Sequence, residues 1–133
     1  MSCVFCDVAA DQIVVASELV YAMRDHFPVN PGHTLLIPKR HVETWFEASA
    51  DEQRALFELL GQVKAQLDVE LKPDGYNIGI NAGRAAGQTV MHLHVHLIPR
   101  FVGDVEEPAG GVRFVLPRRG NYQRPGFVPA EKK

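Results

Sequence analysis

The sequence predicts an α+β domain in which antiparallel strands carry one long helix. Short segments rich in Val, Ile, Leu and Tyr alternate with turn residues, as strands do. One long apolar stripe at helical spacing follows residue 49, and residues 92–97 have the two-residue period of a strand. With 133 residues, 46% hydrophobic and 23% charged, the chain has the length and composition of one globular domain.

The first half of the chain predicts a short helical turn followed by three strands. Residues 7–11 predict the helical turn. Two segments rich in β-branched and large apolar residues, 13–16 and 19–24, predict a β-hairpin. A loop over 25–32, with Pro, Asn and Gly, then leads to a third strand over 33–37.

A capping box at Ser49 and Glu52 predicts the start of the long helix. Apolar residues then recur every three or four positions, which gives the helix one apolar face. The residues of this face are Leu56, Leu60, Val63, Leu67 and Leu71. Pro73 and Gly75 are expected to end the helix and turn the chain.

Two further strands are predicted after the helix. Residues 76–82 predict the fourth, and a loop over 83–89 separates it from the fifth. Beyond Arg100 the chain is rich in Pro and Gly, which predicts an irregular extension.

The fifth predicted strand carries three histidines, His92, His94 and His96. They alternate with Leu93, Val95 and Leu97, so one face of a strand would be imidazole and the other aliphatic. The aliphatic face is expected to bury against the helix. A chance polar face is the plain alternative, but three imidazoles in register favour metal binding, proton transfer or nucleophilic chemistry.

The middle histidine, His94, is the candidate nucleophile. An imidazole nitrogen can attack phosphorus when the other ring nitrogen is held by a hydrogen bond. Phosphoryl transfer also needs donors aimed at the phosphate oxygens, and Asn81, Gln88, Thr89 and the amides of their loop are candidates.

Cys3 and Cys6 form a Cys-x-x-Cys pair, which suits metal binding or redox chemistry. Structural zinc takes four nitrogen or sulfur ligands, so two histidines would have to complete the set. A pair of free thiols is the plain alternative. A catalytic zinc held by all three histidines of the row is a third interpretation.

The overall charge argues against two classes of partner. The net charge of −2 provides no strong field toward nucleic acid or an anionic membrane. The N-terminus lacks the pattern of a secretory signal and no segment predicts a membrane span, so a cytoplasmic protein is expected.

The motifs together resemble the histidine triad (HIT) superfamily. His92-Leu93-His94-Val95-His96-Leu97-Ile98 is similar to its signature, and residues 81–83, 87–90, 31–33 and 36–38, with Phe5, also look like that family. The resemblance covers about residues 3–100.

The resemblance implies a fold and an assembly. The fold is a five-stranded antiparallel sheet with one long helix and a short N-terminal helix, and the sheet continues across a homodimer. Residues 1–105 would form the HIT domain, and residues 106–133 the extension.

The resemblance also implies nucleotidyl transfer to water. The substrate would be a nucleoside phosphoramidate or a dinucleoside polyphosphate with a purine, AMP-like nucleotide, and a nucleoside monophosphate would be released. His94 would be the nucleophile, and His96 and His33 would assist at the phosphate. The residues expected to hold the substrate are Asp25, Asn81, Gly87, Gln88 and Thr89, with Val4, Phe5 and Met23 at the base.

Members with an N-terminal Cys-x-x-Cys resemble a zinc-containing bacterial subset of the family. The resemblance then implies structural Zn²⁺ on four residues, which are Cys3, Cys6, His41 and His92. The segment after Arg100 matches neither the phosphoramidase branch nor the fragile histidine triad branch of the family. It therefore does not indicate the leaving group of the substrate. A nucleotide-binding or scaffold protein with incidental turnover is the alternative function.

Overall fold

The computed structural model describes residues 3–132. The chain divides into two compact units, the first ending at Arg100 and the second beginning at Phe101, rather than at the predicted residue 105. In the second unit, the described residues form two 3₁₀ helices, Gly111–Val115 and Pro117–Arg119, and neither strand nor α-helix.

The first unit contains a five-stranded antiparallel sheet with one long helix, as predicted. The strands follow the order β1-β2-β3-β5-β4, which places the C-terminal strand between β3 and β4. The strand bounds are β1 Ile13–Ala16, β2 Val20–Arg24, β3 Thr34–Pro38, β4 Gly75–Gly79 and β5 Val95–Arg100. The predicted hairpin is the β1–β2 pair. The helical turn predicted over 7–11 is found later in the chain, as a 3₁₀ helix at Ala10–Gln12.

The prediction that all three histidines lie on a strand is wrong for the first two. β5 begins at Val95, so His92 and His94 lie in the irregular segment before it. The pairing of β3 with β5 stops at Leu36 opposite Val95. Continued in register, Leu93 would face Pro38, which has no N–H to donate. Leu93 instead donates to the Val42 carbonyl, at 2.7 Å.

The alternation of aliphatic and imidazole side chains nevertheless persists through this segment. Leu93, Val95 and Leu97 are buried in the core on the helix side of the sheet. The histidines therefore lie on the sheet face opposite the helix. They are more buried there than polar side chains on a solvent-facing strand usually are. His92 is fully buried and His94 is 9% exposed.

The long helix α1 spans Ala50–Glu70, and its capping box is confirmed. The Glu52 amide donates to the Ser49 hydroxyl and the Ser49 amide donates to the Glu52 carboxylate. The buried stripe is Leu56, Leu59, Val63 and Leu67. The predicted stripe was therefore misplaced at two positions: Leu60 lies at the margin, and Leu71 lies just past the helix and is 37% exposed.

A second apolar cluster covers the sheet face opposite α1. It consists of Phe5, Tyr21, Met23, Leu35 and Ile37. The N-terminal segment is tied down here, because the Tyr21 hydroxyl donates to the Phe5 carbonyl. Residues 3–132 contain no helix that is long and apolar enough to cross a membrane.

Candidate functional site

A cavity of about 570 Å³ lies on the sheet face opposite α1. This volume is within the usual range of small-ligand sites. Nine of the residues predicted for the site line it: Val4, Phe5, Met23, Asp25, Asn81, Gly87, Thr89, His94 and His96. The structure also places Gln12, His26 and several apolar residues in the wall. Gln12 and His26 belong to no sequence motif, because a short helix and a loop that are separate in sequence bring them together.

The His94 ring is held in one tautomer. Its Nδ1 lies 2.8 Å from the carbonyl oxygen of His92, and a carbonyl only accepts, so Nδ1 carries the proton. Nε2 therefore bears the lone pair. The ring of Phe5 packs edge-on against the imidazole, with centroids 5.1 Å apart, and restricts its rotation.

A directed hydrogen-bond chain ends at His96. The Val29 amide donates to His33 Nδ1 at 3.0 Å, so the proton of the neutral His33 ring is on Nε2. His33 Nε2 lies 2.9 Å from His96 Nδ1 and donates to it. The remaining nitrogen of His96, Nε2, is consequently the protonated one, and it is a donor beside the cavity.

His33 thus occupies a different place from the one expected of a residue at the phosphate. It is buried, does not line the cavity, and touches the site through His96 and through Asp25, whose carboxylate lies 3.4 Å from its Nε2. Its geometry is that of a residue that orients His96.

Burial keeps both linked imidazoles neutral. It lowers the pKa of His33, an effect that Asp25 partly opposes. Burial also lowers the pKa of His96 to about 4, with further lowering from His94 and His33. At neutral pH the His96 donor is therefore an uncharged imidazole.

This shift predicts a pH-dependent stability. Because folding lowers the pKa of His96 from 6.5 to about 4, the unfolded chain binds more protons between those values. The free energy of unfolding should be fully maintained above pH 6.5 and should fall as the pH decreases toward 4. The free energy of unfolding, measured by chemical denaturation at a series of pH values, should depend less steeply on pH in His96→Gln than in the wild type. The exposed His26→Gln variant is the control, and identical slopes in wild type and His96→Gln would contradict the prediction.

Gln88 holds the loop beside the cavity and does not line it. Its Oε1 accepts from the Gly83 amide at 2.8 Å, and its Nε2 donates to the Glu43 and Val90 carbonyls at 2.7 and 3.1 Å. Both amide protons are thus used, and none is left for a phosphate. The geometry therefore does not support the expected contact between the Gln88 side chain and the substrate phosphate.

The same loop offers backbone donors instead. The chain turns at Gly87, whose φ of 94° is a backbone conformation that favours glycine. Within the described residues, the amide N–H groups of Thr89 and Val90 donate to no acceptor. Both residues line the cavity beside His94. Consecutive amides of this kind suit an anion.

Asp25 is fixed at the cavity wall by the start of its loop. One carboxylate oxygen accepts from the Phe27 amide at 2.8 Å, and the other faces His33. These contacts hold the carboxylate in place while it lines the cavity.

The four residues expected to bind metal lie together. The ligand atoms of Cys3, Cys6, His41 and His92 are all within 4.8 Å of one another. Nδ1 of His92 is 3.4 and 3.5 Å from the two sulfurs, and Nδ1 of His41 is 3.3 Å from Cys6 Sγ. Tetrahedral zinc separates a sulfur and a nitrogen ligand by about 3.6 Å, so the donor set fits zinc closely.

The orientation of His92 also fits a metal ligand. Its Nε2 donates to the Pro38 carbonyl at 2.8 Å, which leaves the Nδ1 lone pair toward the sulfurs. Metal-binding histidines commonly use the second nitrogen in this way.

The fold and the site define a class of protein: a small α+β domain that holds a histidine cluster beside a ligand-sized cavity. The chain belongs to the HIT family, because the model of the HIT domain matches residues 7–103.

Two relatives show how far the similarity extends. An uncharacterized HIT-like protein of Methanocaldococcus jannaschii is 44% identical over 110 residues, which cover 78% of this chain and 83% of the relative. The crystal structure of a Zn-bound histidine triad family protein from Mycobacterium smegmatis has a TM-score of 0.71 and 35% identity, and the match covers 77% of this chain and 78% of that one.

A third relative has a name that states an activity. It is the AP-4-A phosphorylase of Mycobacterium tuberculosis, 34% identical over 93 residues. The match covers 69% of this chain but only 48% of the phosphorylase.

Proposed function

We propose that the protein is a nucleotide hydrolase that cleaves at the α-phosphate of nucleoside phosphoramidates or dinucleoside polyphosphates. The observation that carries the proposal is the fixed tautomer of His94, whose Nδ1 proton bonds to the His92 carbonyl beside the cavity. This arrangement leaves Nε2 to attack the α-phosphorus. A nucleotidyl-imidazole forms as the bond from phosphorus to the amine or polyphosphate breaks and that group departs. Water then releases the nucleoside monophosphate.

The other groups divide the remaining work. The His96 donor and the amides of Thr89 and Val90 would bond the phosphate oxygens, where charge develops during transfer. Asn81 lines the same region of the cavity and adds a side-chain amide. His33 would keep the His96 donor pointed at the substrate.

The nucleoside would occupy the rest of the cavity. The Asp25 carboxylate, fixed by the Phe27 amide, would accept from the ribose hydroxyls. The apolar walls at Val4, Phe5 and Met23 would contact a purine ring. An AMP-like nucleotide is therefore the proposed ligand.

Zinc at Cys3, Cys6, His41 and His92 would be structural in this scheme. When bound, the ion supplies four strong bonds that cross-link the N-terminus to the segment before β5. None of its ligands lines the cavity. The chemistry at His94 thus proceeds without contact to the metal.

A homodimer is proposed on the edge of the sheet. β4 pairs with β5 along one side, and its other side is the sheet edge. Ile78 on this strand is 47% exposed. Exposed strand edges of this kind are sites of pairing with another chain. A cytoplasmic location and the lack of a nucleic acid partner remain predictions from the sequence.

Product analysis tests the reaction. Purified protein incubated with adenosine phosphoramidate or diadenosine tetraphosphate is expected to release AMP, measured by chromatography. Diadenosine tetraphosphate with and without inorganic phosphate separates hydrolysis from phosphorolysis, because phosphorolysis yields ADP and ATP only when phosphate is present. Zinc content is measured on the same sample. If no nucleotide conjugate is turned over although AMP binds, the alternative of a nucleotide-binding scaffold protein is favoured.

A further inference from the structure

Gln12 and His26 form a polar pair at the exposed rim of the cavity. Gln12 is the last residue of the 3₁₀ helix before β1, and His26 lies in the loop after β2. His26 Nε2 is 3.1 Å from Gln12 Oε1, and both residues line the cavity. The scheme for phosphoryl transfer uses neither side chain.

The position of the pair follows from its neighbours. Asp25, the proposed ribose ligand, immediately precedes His26. Val8 and Met23 supply apolar wall in the same part of the chain. A nucleoside with its ribose on Asp25 and its base on this wall would present the polar edge of the base to the rim.

Gln12 and His26 can hydrogen-bond to each other in two arrangements, which differ in the groups that they leave for a ligand. In the observed arrangement the His26 Nε2–H donates to Gln12 Oε1, so the pair offers the Gln12 amide protons as donors and His26 Nδ1 as acceptor. If the Gln12 amide turns over and the His26 proton moves to Nδ1, the pair offers Gln12 Oε1 as acceptor and the Nδ1–H as donor. In either state the pair keeps a donor and an acceptor that are not used within it.

Purines present matching but opposite edges. Adenine has an amino donor at C6 beside the N1 acceptor, whereas guanine has a carbonyl acceptor at C6 beside the N1–H donor. A pair that exchanges its donor and acceptor by an amide rotation and a shift of the imidazole proton can bond both.

We propose that Gln12 and His26 read the C6–N1 edge of a bound purine and accept adenine and guanine alike. The inference rests on the proposed function only for the placement of the nucleoside, and it adds the part of the site that determines base specificity. A purine without a C6 substituent should lose one hydrogen bond.

Equilibrium binding tests the inference separately from turnover. The ligands are AMP, GMP and purine riboside 5′-monophosphate, which lacks the C6 group, and the dissociation constants are measured by calorimetry. The wild type is expected to bind AMP and GMP within about threefold of each other, and the purine riboside about three- to tenfold more weakly, as one net hydrogen bond would give. In Gln12→Met the affinities for AMP and GMP should fall to that of the purine riboside.

A second variant tests the exchange of polarity. Gln12→Glu removes the donors at this position, so it should change the ratio of AMP to GMP affinity by about threefold or more. Asp11→Asn, on the same short helix but outside the cavity wall, is the matched control and should retain the wild-type values.

Three results would overturn the inference: equal wild-type affinity for all three ligands, a Gln12→Met variant that keeps the wild-type pattern, or no binding of any of them. The proposed reaction is tested separately, by product analysis. If no conjugate releases AMP, the hydrolase is rejected, but the proposed base recognition by Gln12 and His26 can still hold. If conjugates are turned over but all three ligands bind equally, the base recognition is rejected and the hydrolase stands.

Discussion

His94→Ala is expected to reduce release of the nucleoside monophosphate by at least about 10⁴-fold, because the variant lacks the nitrogen proposed to bond to phosphorus. AMP should still bind, since the Asp25 carboxylate, the loop amides and the apolar wall are unchanged. The measurement is the rate of AMP release under single-turnover conditions. Rapid quenching of the wild type with labelled substrate should also trap an acid-labile adduct on His94.

The matched comparison is His94→Gln, which restores most of the side-chain volume beside Phe5 but no imidazole. It should be as inactive as the alanine variant, and both should unfold near the wild-type temperature. Turnover by either variant within tenfold of the wild type would refute the covalent route.

Loss of zinc is expected to have the second large effect, on both stability and ligand binding. Replacing Cys3 and Cys6 together by serine removes two of the four proposed ligands with little change in volume. At free zinc 1,000-fold above its dissociation constant, the wild type gains about 4 kcal/mol over a chain that binds none. The thermal unfolding temperature of the serine variant should fall accordingly, and zinc should no longer co-purify with it.

We expect Phe5 to make the proposed nucleotide binding sensitive to the same change. It lies between the two cysteines in sequence, and its ring contacts both His92 and His94, with centroids 6.0 and 5.1 Å apart. Without the metal, the Phe5 backbone is held by the Tyr21 hydrogen bond, and its ring is held by packing alone. The affinity for AMP should therefore decrease in the serine variant and in chelated wild type. Chelation should leave the serine variant unaffected; a further loss of stability there would mean that the metal binds elsewhere.

Much of the fold could be predicted because its local signals agree with one another. The Ser49 capping box, the hairpin residues and the alternation around Val95 each indicate an element from local sequence alone. The misplacement of Leu60 and Leu71 shows the limit of such patterns. Several spacings of three and four fit one sequence, and the sheet against which α1 packs decides which residues are buried.

The site could be predicted as a set of residues but not as an arrangement. Their spacing identified His92, His94 and His96, and the resemblance to the HIT superfamily indicated what each site residue would do. The place of His33 behind His96 depends on the Val29 amide, and the engagement of Gln88 depends on the Glu43 carbonyl, which is distant in sequence. Gln12 and His26 carry no motif, so tertiary structure alone reveals them.

The hydrogen-bond chain through His33 has a consequence for the leaving group. It starts at a backbone amide, which can never become an acceptor, so the polarity of the whole chain is set by the polypeptide itself. A neutral imidazole N–H is a very weak acid, and His96 can stabilise an oxyanion but cannot readily surrender that proton. A departing polyphosphate leaves as a stable anion, whereas a departing amine must be protonated. In the proposed reaction an anhydride substrate would therefore need no proton from His96, whereas an amidate would need one from another donor.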